Sequence, residues 1–359
     1  IMMPEMDGYQ TIAKIRENTV IDGPLIDFLL NCVDASLAYP ERFSRRVWAR
    51  SLDFLSGLGL TPSQSKKLAT LSYRREKACA TISVITPSFN QGEFLEECLR
   101  SVRDQTHKPL EHFVFDPGST DNSRDIARKF AHVTLFAEPD EGQSDALNKG
   151  FSRATGDVIA WLNSDDVFAS PEVFAKVLAR FNQADAPDIV YGKGVYIDEA
   201  GHKLRDAYIN KDPSSLHWRL QQEDGIMQPA VFMRRSLIKR IGALTGSRHY
   251  CMDYEYWIRC VQAKVKFAFV DENFALARYH SSNKTYGQRG NSYAEVCDML
   301  MTHFGYVNHV WLKLYAAFLS EGWDGVLAHA GNTEIGDQSQ FDAIYRQLLS
   351  DYNGGQLVY

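Results

Sequence analysis

Hydrophobic and polar positions change rhythm twice along the 359 residues of this chain. In the first 80 residues apolar positions recur at helical spacing, as in IDFLLNCVDASLAY and RSLDFLSGL, which predicts a helical N-terminal extension over 1–80. The charged stretch SYRREKACA reads as the link to the middle segment. Over 81–285 short β-branched or aromatic runs alternate with helical patterns. From 286 to 359 the helical spacing returns and ends in the tail NGGQLVY. No internal repeat and no low-complexity tract interrupts this order.

The middle segment carries most of the information. TISVITPSF opens with an apolar β-branched run that Pro87 stops, the pattern of a buried strand. GEFLEECLRSVRDQ then puts Phe94, Leu95, Cys98, Leu99 and Val102 on one helical face. LEHFVFD, HVTLFAE and DVIAWLN read as further strands, and STDNSRDIARKF and SDALNKGFSRA as the helices between them. Alternating strand and helix predict an α/β fold, a parallel sheet covered on both faces. In such sheets ligands bind beyond the carboxyl ends of the strands.

Those four strand ends are polar and acidic: Pro87-Ser88-Phe89-Asn90, Asp116 to Asp121, Glu138 to Asp145, and Asn163-Ser164-Asp165-Asp166. Each taken singly has a plain explanation, because Asp, Ser and Gly are common in turns and caps. Four together on the ligand-binding edge point to a site.

Bulk properties narrow the chemistry. Hydrophobic residues make up 45% and charged residues 23%, the range of a globular protein with a sizeable core. A net charge of −6 gives no basic field for nucleic acid or an anionic membrane. No apolar run approaches the roughly 20 residues of a membrane span, and IMMPEMDGYQ lacks the features of a signal peptide. The six cysteines form no C-x-x-C pair, so they read as reduced thiols and the protein as cytoplasmic. Neither G-x-G-x-x-G after a strand nor a P-loop is present. Acids beside phosphates make sense when a hard divalent cation sits between them. Asp165-Asp166 suit Mg²⁺ or Mn²⁺ bridging a diphosphate; equally, they suit the first turn of a helix over ASPEVFAKVLARF. Asp253 and Glu255, at the start of a helix in CMDYEYWIRC with Tyr254, Trp257, Ile258 and Val261 on its buried face, are carboxylates open to base chemistry. His280 and Lys284 in ARYHSSNKT could meet a diphosphate or a metal.

ISVITPSFNQGEFLEECLRSVRDQT, DPGSTDNS and EPDEGQSDALNKGFSRATGDVIAWLNSDD, continuing through QPAVFMRRSLIKRIG and MDYEYWIR, together resemble the family-two glycosyltransferases. The resemblance covers roughly 81–285 and rests on at least five motifs in order. It implies the GT-A fold, a Rossmann-like mixed sheet with helices on both faces, here flanked by helical N- and C-terminal segments. It also implies an inverting sugar transfer from a nucleotide-diphosphate donor, a UDP-sugar first, to a saccharide or lipid-linked acceptor. By the same resemblance Pro87, Phe89 and Asn90 line the nucleotide pocket and Asp116 approaches the base, although Pro117 stands where the family often has a second acid. Gln143 and Asp145 lie by the sugar-nucleotide. Asn163 to Asp166 form the metal motif, with Asp166 the first choice of direct ligand and Asp165 beside it. Asp253 is favoured over Glu255 as general base, although Met252 replaces the acid that usually precedes it. His280 joins the metal and Lys284 the diphosphate, and Trp218, Gln228 and Arg234 lie where acceptor contacts are expected. A non-catalytic sugar-nucleotide or glycan-binding module on the same fold is the alternative.

Two segments fall outside that resemblance. Residues 1–17 resemble a piece of a response-regulator receiver domain without its phosphoacceptor aspartate, too short to work as one. The aromatic, amphipathic C-terminal region is expected to pack on the catalytic domain. Docking to the inner face of a membrane is the sharper alternative, weakened by its few basic residues.

Overall fold

The computed structural model describes residues 60–68, 81–280, 283–284, 288–330 and 336–358. The chain divides into two units, Ile1–Ala80 and Thr81–Tyr359. In the first, residues 62–68 are helical. That helix opens with reciprocal bonds: Gln64 N donates to Thr61 Oγ1 at 3.4 Å and Thr61 N to Gln64 Oε1 at 3.0 Å. The receiver-like fragment and most of the N-terminal extension lie outside the described residues.

The second unit begins with the alternation that the sequence predicts. Strand β1 (Ile82–Pro87) is followed by helix α1 (Leu95–Arg103), β2 (Glu111–Phe115), α2 (Ser123–Arg128), β3 (Val133–Phe136), α3 (Gln143–Arg153) and β4 (Val158–Trp161). β1 pairs in parallel with both β2 and β4, and β2 with β3. Every residue of β1 and β4 is buried, as two covered faces require. Phe94, Leu95, Cys98, Leu99 and Val102 are all buried, the stripe that the spacing indicates. α3 comes unusually close to the sheet at Gly150, where an added Cβ would stand 2.5 Å from Ile85 Cγ2.

Beyond β4 the purely parallel expectation gives way to a mixed sheet. β5 (Val167–Phe168), α4 (Val173–Phe181), β6 (Ile189–Ile197), β7 (Lys203–Asp206), α5 (Leu216–Arg219), β8 (Val231–Arg234), α6 (Arg235–Ile241), α7 (Met252–Gln262) and β9 (Phe267–Arg278) complete it. Among the described residues nine strands run in the order β3-β2-β1-β4-β8-β6-β9-β5, with β7 on β6. β8 lies antiparallel between β4 and β6, while β6 and β9 are parallel. An apolar run shows that a strand is buried but not which way its neighbour points, so pattern alone could not give β8 its direction. The arrangement is the mixed α/β sheet of the GT-A class.

Helices α8 (Arg289–Phe304), α9 (His309–Ala330) and α10 (Gln338–Asn353) end the chain. No helix among the described residues is long and apolar enough to cross a membrane.

Candidate active site

The carboxyl ends of β1, β2 and β4 converge as the strand-end rule requires. At the end of β1, Pro87 is buried and Phe89 is 57% exposed. Asn90 comes next with φ 53°, a left-handed conformation that Asn tolerates better than most side chains. Its backbone N donates to Ser119 Oγ at 2.8 Å, and its Oδ1 accepts from Thr120 N at 2.8 Å. The first loop is thereby stitched to the second.

Asp116 is the electrostatic centre of that second loop. Its side chain is 1% exposed. Oδ1 accepts from Gly118 N at 3.0 Å, Ser119 N at 2.7 Å and Arg124 Nε at 2.9 Å. Oδ2 is buried with no donor among the described residues. One oxygen is saturated and the other is not.

Asn163 organises the turn after β4. Its Oδ1 accepts from Gln143 Nε2 and Trp161 Nε1, both at 2.8 Å. Its Nδ2 faces Asp166 Oδ2 and Gln228 Oε1, both at 3.2 Å. The adjacent acids are not a helix N-terminus: β5 comes directly after them and α4 starts only at Val173. Asp166 is 5% exposed, and its Oδ1 accepts from Arg278 N at 3.1 Å. Burial first, and the Asp165 charge second, push its carboxyl well above the usual aspartate range. Asp165 Oδ2 lies 3.0 Å from Nε2 of the buried His280. Asp165, Asp166 and His280 are thus brought together, although no three His, Cys, Asp or Glu side chains among the described residues form a closed metal cage.

Asp145 sits in the first turn of α3, where its Oδ2 is 2.8 Å from Lys149 Nζ. The Lys149 hydrogen bond holds its carboxyl below the usual range. Next to it, Ser144 Oγ lies 3.2 Å from Met252 Sδ, so the start of α3 packs on the start of α7. Asp253 lies in that first turn of α7, half-buried, with Oδ1 accepting from Tyr254 N at 2.9 Å. Burial pushes the Asp253 carboxyl up. Crowding by protein, and then the Asp253 charge, raise the carboxyl of Asp224 as well, although the residue as a whole is exposed. Glu255, by contrast, is buried against Arg259 and lies 3.3 Å from His303 Nε2. Lys284 is exposed, within electrostatic reach of Asp140 on the loop after β3 and of Glu295 on α8.

Three residues depart from their expected places. Arg234 does not face an acceptor: it donates to the carbonyls of Pro187 at 2.8 Å and Phe181 at 3.0 Å and caps the end of α4. Gln228 is buried, and its Nε2 donates to Trp161 O at 2.7 Å, supporting the acidic turn from behind. Val261 is only half-buried, whereas Met252, Tyr256 and Cys260 join the core face of α7. Sequence reasoning also passed over Arg278, 2% exposed at the end of β9. It donates to the carbonyls of Asp165, Asp198 and Glu199 and pairs with Glu97. A lone arginine closing an apolar strand was its only visible signal.

A family model described as "Glycosyl transferase family 2" matches residues 83–242. A PGL/p-HBAD biosynthesis glycosyltransferase of Mycobacterium tuberculosis is 31% identical over 188 residues, 51% of this chain and 70% of that protein. A glycosyltransferase of Nostoc sp. is 27% identical over 219 residues, 56% of this chain and 66% of its own length. The chain spans about two thirds of these curated relatives. Among solved structures, S. aureus TarS 1–349 in complex with UDP-GlcNAc superposes with a TM-score of 0.52 at 16% identity, covering 76% of this chain and 81% of TarS 1–349. That likeness speaks for the fold. The family model and the mycobacterial relative meet on the segment that carries the acidic strand ends, and they make this chain a member of glycosyl transferase family 2.

Proposed function

We propose that this chain is an inverting glycosyltransferase that moves a sugar from a nucleotide-diphosphate donor, a UDP-sugar first, to a saccharide or lipid-linked acceptor. Asp116 carries the reading. Its Oδ2 is a buried acceptor without a donor, beside an oxygen that already has three. A nucleobase imide N–H is the partner that this geometry favours, with Phe89 and Asn90 at the pocket mouth. The TarS structure contains UDP-GlcNAc, a ligand of the same class.

The residues of the acidic turn suit a divalent cation. Asp166 is buried next to a second carboxylate, and a hard cation would relieve both the desolvation and the repulsion. Asp166, Asp165 and His280 would hold Mg²⁺ or Mn²⁺. Bound there, the ion would neutralise charge on the leaving diphosphate. Asn163, Gln143 and Gln228 keep the turn in place, and Lys284 supplies positive charge on the side of Asp140.

Asp253 acts as the base. Its carboxylate takes the proton of the acceptor hydroxyl while that oxygen attacks the anomeric carbon from the face opposite the diphosphate. The new C–O bond forms as the bond to the diphosphate breaks, so the configuration inverts. A carboxylate held above its ordinary range is a stronger base than a free aspartate.

The test is turnover of UDP-, GDP- and TDP-sugars by the purified protein, with and without EDTA, and with product configuration followed by NMR. Turnover with inversion, lost in EDTA and restored by Mn²⁺, is expected. Absence of any nucleotide-sugar turnover or binding would overturn the reading, and full activity in EDTA would remove its metal.

A further inference from the structure

Among the described residues three Phe, Tyr or Trp side chains are exposed: Phe89 at 57%, Tyr208 at 56% and Trp218 at 39%. Phe89 belongs to the nucleotide side. We propose that Tyr208 and Trp218 form a platform for a saccharide acceptor, stacking on a sugar unit next to the one that reacts. This rests on the glycosyltransferase reading above and adds the class and position of the acceptor.

The two rings are held by one polar chain. Tyr208 Oη donates to Glu223 Oε1 at 2.7 Å, Arg219 Nη1 lies 3.4 Å from the same oxygen, and the Arg219 guanidinium sits 4.2 Å from the centre of the Trp218 ring. Exposed aromatic side chains cost free energy to leave in water, and fixing them costs entropy as well. Both costs are offset if a ligand covers the rings.

The platform is tied to the base. Tyr254 Oη donates to Leu220 O at 2.6 Å, which anchors the turn after Trp218 and Arg219 to the first turn of α7, one residue from Asp253. Asn210 N donates to Gly225 O at 2.9 Å, which joins the segment after β7 that carries Tyr208 to the loop of Glu223 and Asp224.

The surrounding polar groups fit the occupant. The carboxyls of Glu223, Asp224 and Asp253 gather here, with Arg219 paired to Glu223. A neutral saccharide has flat C–H faces for the rings and hydroxyls for the carboxylates and guanidinium, so it fits.

The test uses the full chain and a fixed panel: methyl and p-nitrophenyl glycosides of glucose, galactose, mannose and N-acetylglucosamine, with cellobiose and maltose. Saturation-transfer NMR needs no donor. At least one panel member is expected to show a saccharide signal that falls at least fivefold in Tyr208→Ala/Trp218→Ala and returns in Tyr208→Phe/Trp218→Phe. In transfer assays each alanine variant should raise acceptor KM about tenfold, as loss of one ring contact of about 1.4 kcal/mol implies, and change donor KM less than twofold. No saccharide signal in the wild-type protein, or one equal in the alanine double variant, overturns the platform. If the signal behaves as expected but no sugar nucleotide is turned over, the platform stands and the enzymatic reading falls.

Discussion

Glu255 and Arg259 lie one turn apart on α7 and share two hydrogen bonds, Nε to Oε1 at 2.8 Å and Nη2 to Oε2 at 2.9 Å. This pairing occupies both carboxylate oxygens of Glu255, which supports Asp253 rather than Glu255 as the base in the mechanism proposed above. Asp253→Asn should therefore lower turnover by about 10²–10⁴-fold while donor affinity and melting temperature hold. Glu255→Gln should instead cost about 1–3 kcal/mol of stability, because it leaves Arg259 imperfectly paired. Steady-state kinetics and denaturant unfolding of both variants make the comparison. Normal turnover in Asp253→Asn with loss in Glu255→Gln would reverse the assignment.

In the proposed mechanism the same carboxyl sets the pH profile of turnover. Burial raises the Asp253 pKa, and the base works only when ionised. Turnover should fall as pH drops through a value above the ordinary aspartate range, with the limb absent from the residual activity of Asp253→Asn. A limb at the pKa of a free aspartate would show that the carboxyl is solvated during catalysis.

Asp116→Asn tests the nucleotide pocket. Oδ1 accepts three donors, so the amide oxygen must take that place, and the NH₂ then replaces Oδ2. Two donors would face each other when the base binds. Loss of about 1–3 kcal/mol, or roughly tenfold to a hundredfold in nucleotide affinity, is expected from calorimetry. Unchanged affinity would place the base elsewhere.

Stability should depend on pH through His112, a fully buried residue of β2. Its Nε2 meets Thr86 Oγ1 at 3.0 Å, and burial, then the neighbouring His132, lower its pKa from 6.5 to about 3. The folded state thus binds fewer protons than the unfolded state between those values. The His112 contribution is therefore complete above pH 6.5 and is lost as pH falls toward 3. Urea unfolding from pH 7 to pH 4 should show this slope, and His112→Gln should flatten it. Equal slopes in both proteins would assign the acid sensitivity to other groups.

Arg278→Lys keeps the charge but cannot reach the acceptors that the guanidinium spans, the carbonyls of Asp165, Asp198 and Glu199 and the Glu97 carboxylate. A loss of about 2–4 kcal/mol is expected from unmet buried acceptors, measured by chemical denaturation. A neutral result would mean that water replaces those bonds.

The first four strands and their helices were legible because each carries its own period, and β1 and β2 stop at Pro87 and Asp116. Their carboxyl-end loops could be named for the same reason. The pattern could not provide long-range pairing. The antiparallel β8, the support of Gln228 under Asn163, and the closeness of Asp224 to Asp253 all join segments whose separation leaves no local trace. Asp165-Asp166 is the clearest instance. Its two meanings, metal turn and helix cap, look alike in one dimension, and only the pairing of Val167 and Phe168 with β9 removes the helix cap.

The reach of that pairing has a kinetic side. The bond from Arg278 N to Asp166 spans 112 positions and the contact of His280 with Asp165 spans 115. Such distant closures are entropically expensive and come late. During synthesis β1 to β4 can pair while β9 is still unmade, with the acidic turn left unclamped and its like charges free to repel. Competence to hold a donor would therefore mature after the sheet, at the moment the end of β9 docks, and a chain stalled before residue 278 would carry the pocket walls without a working turn.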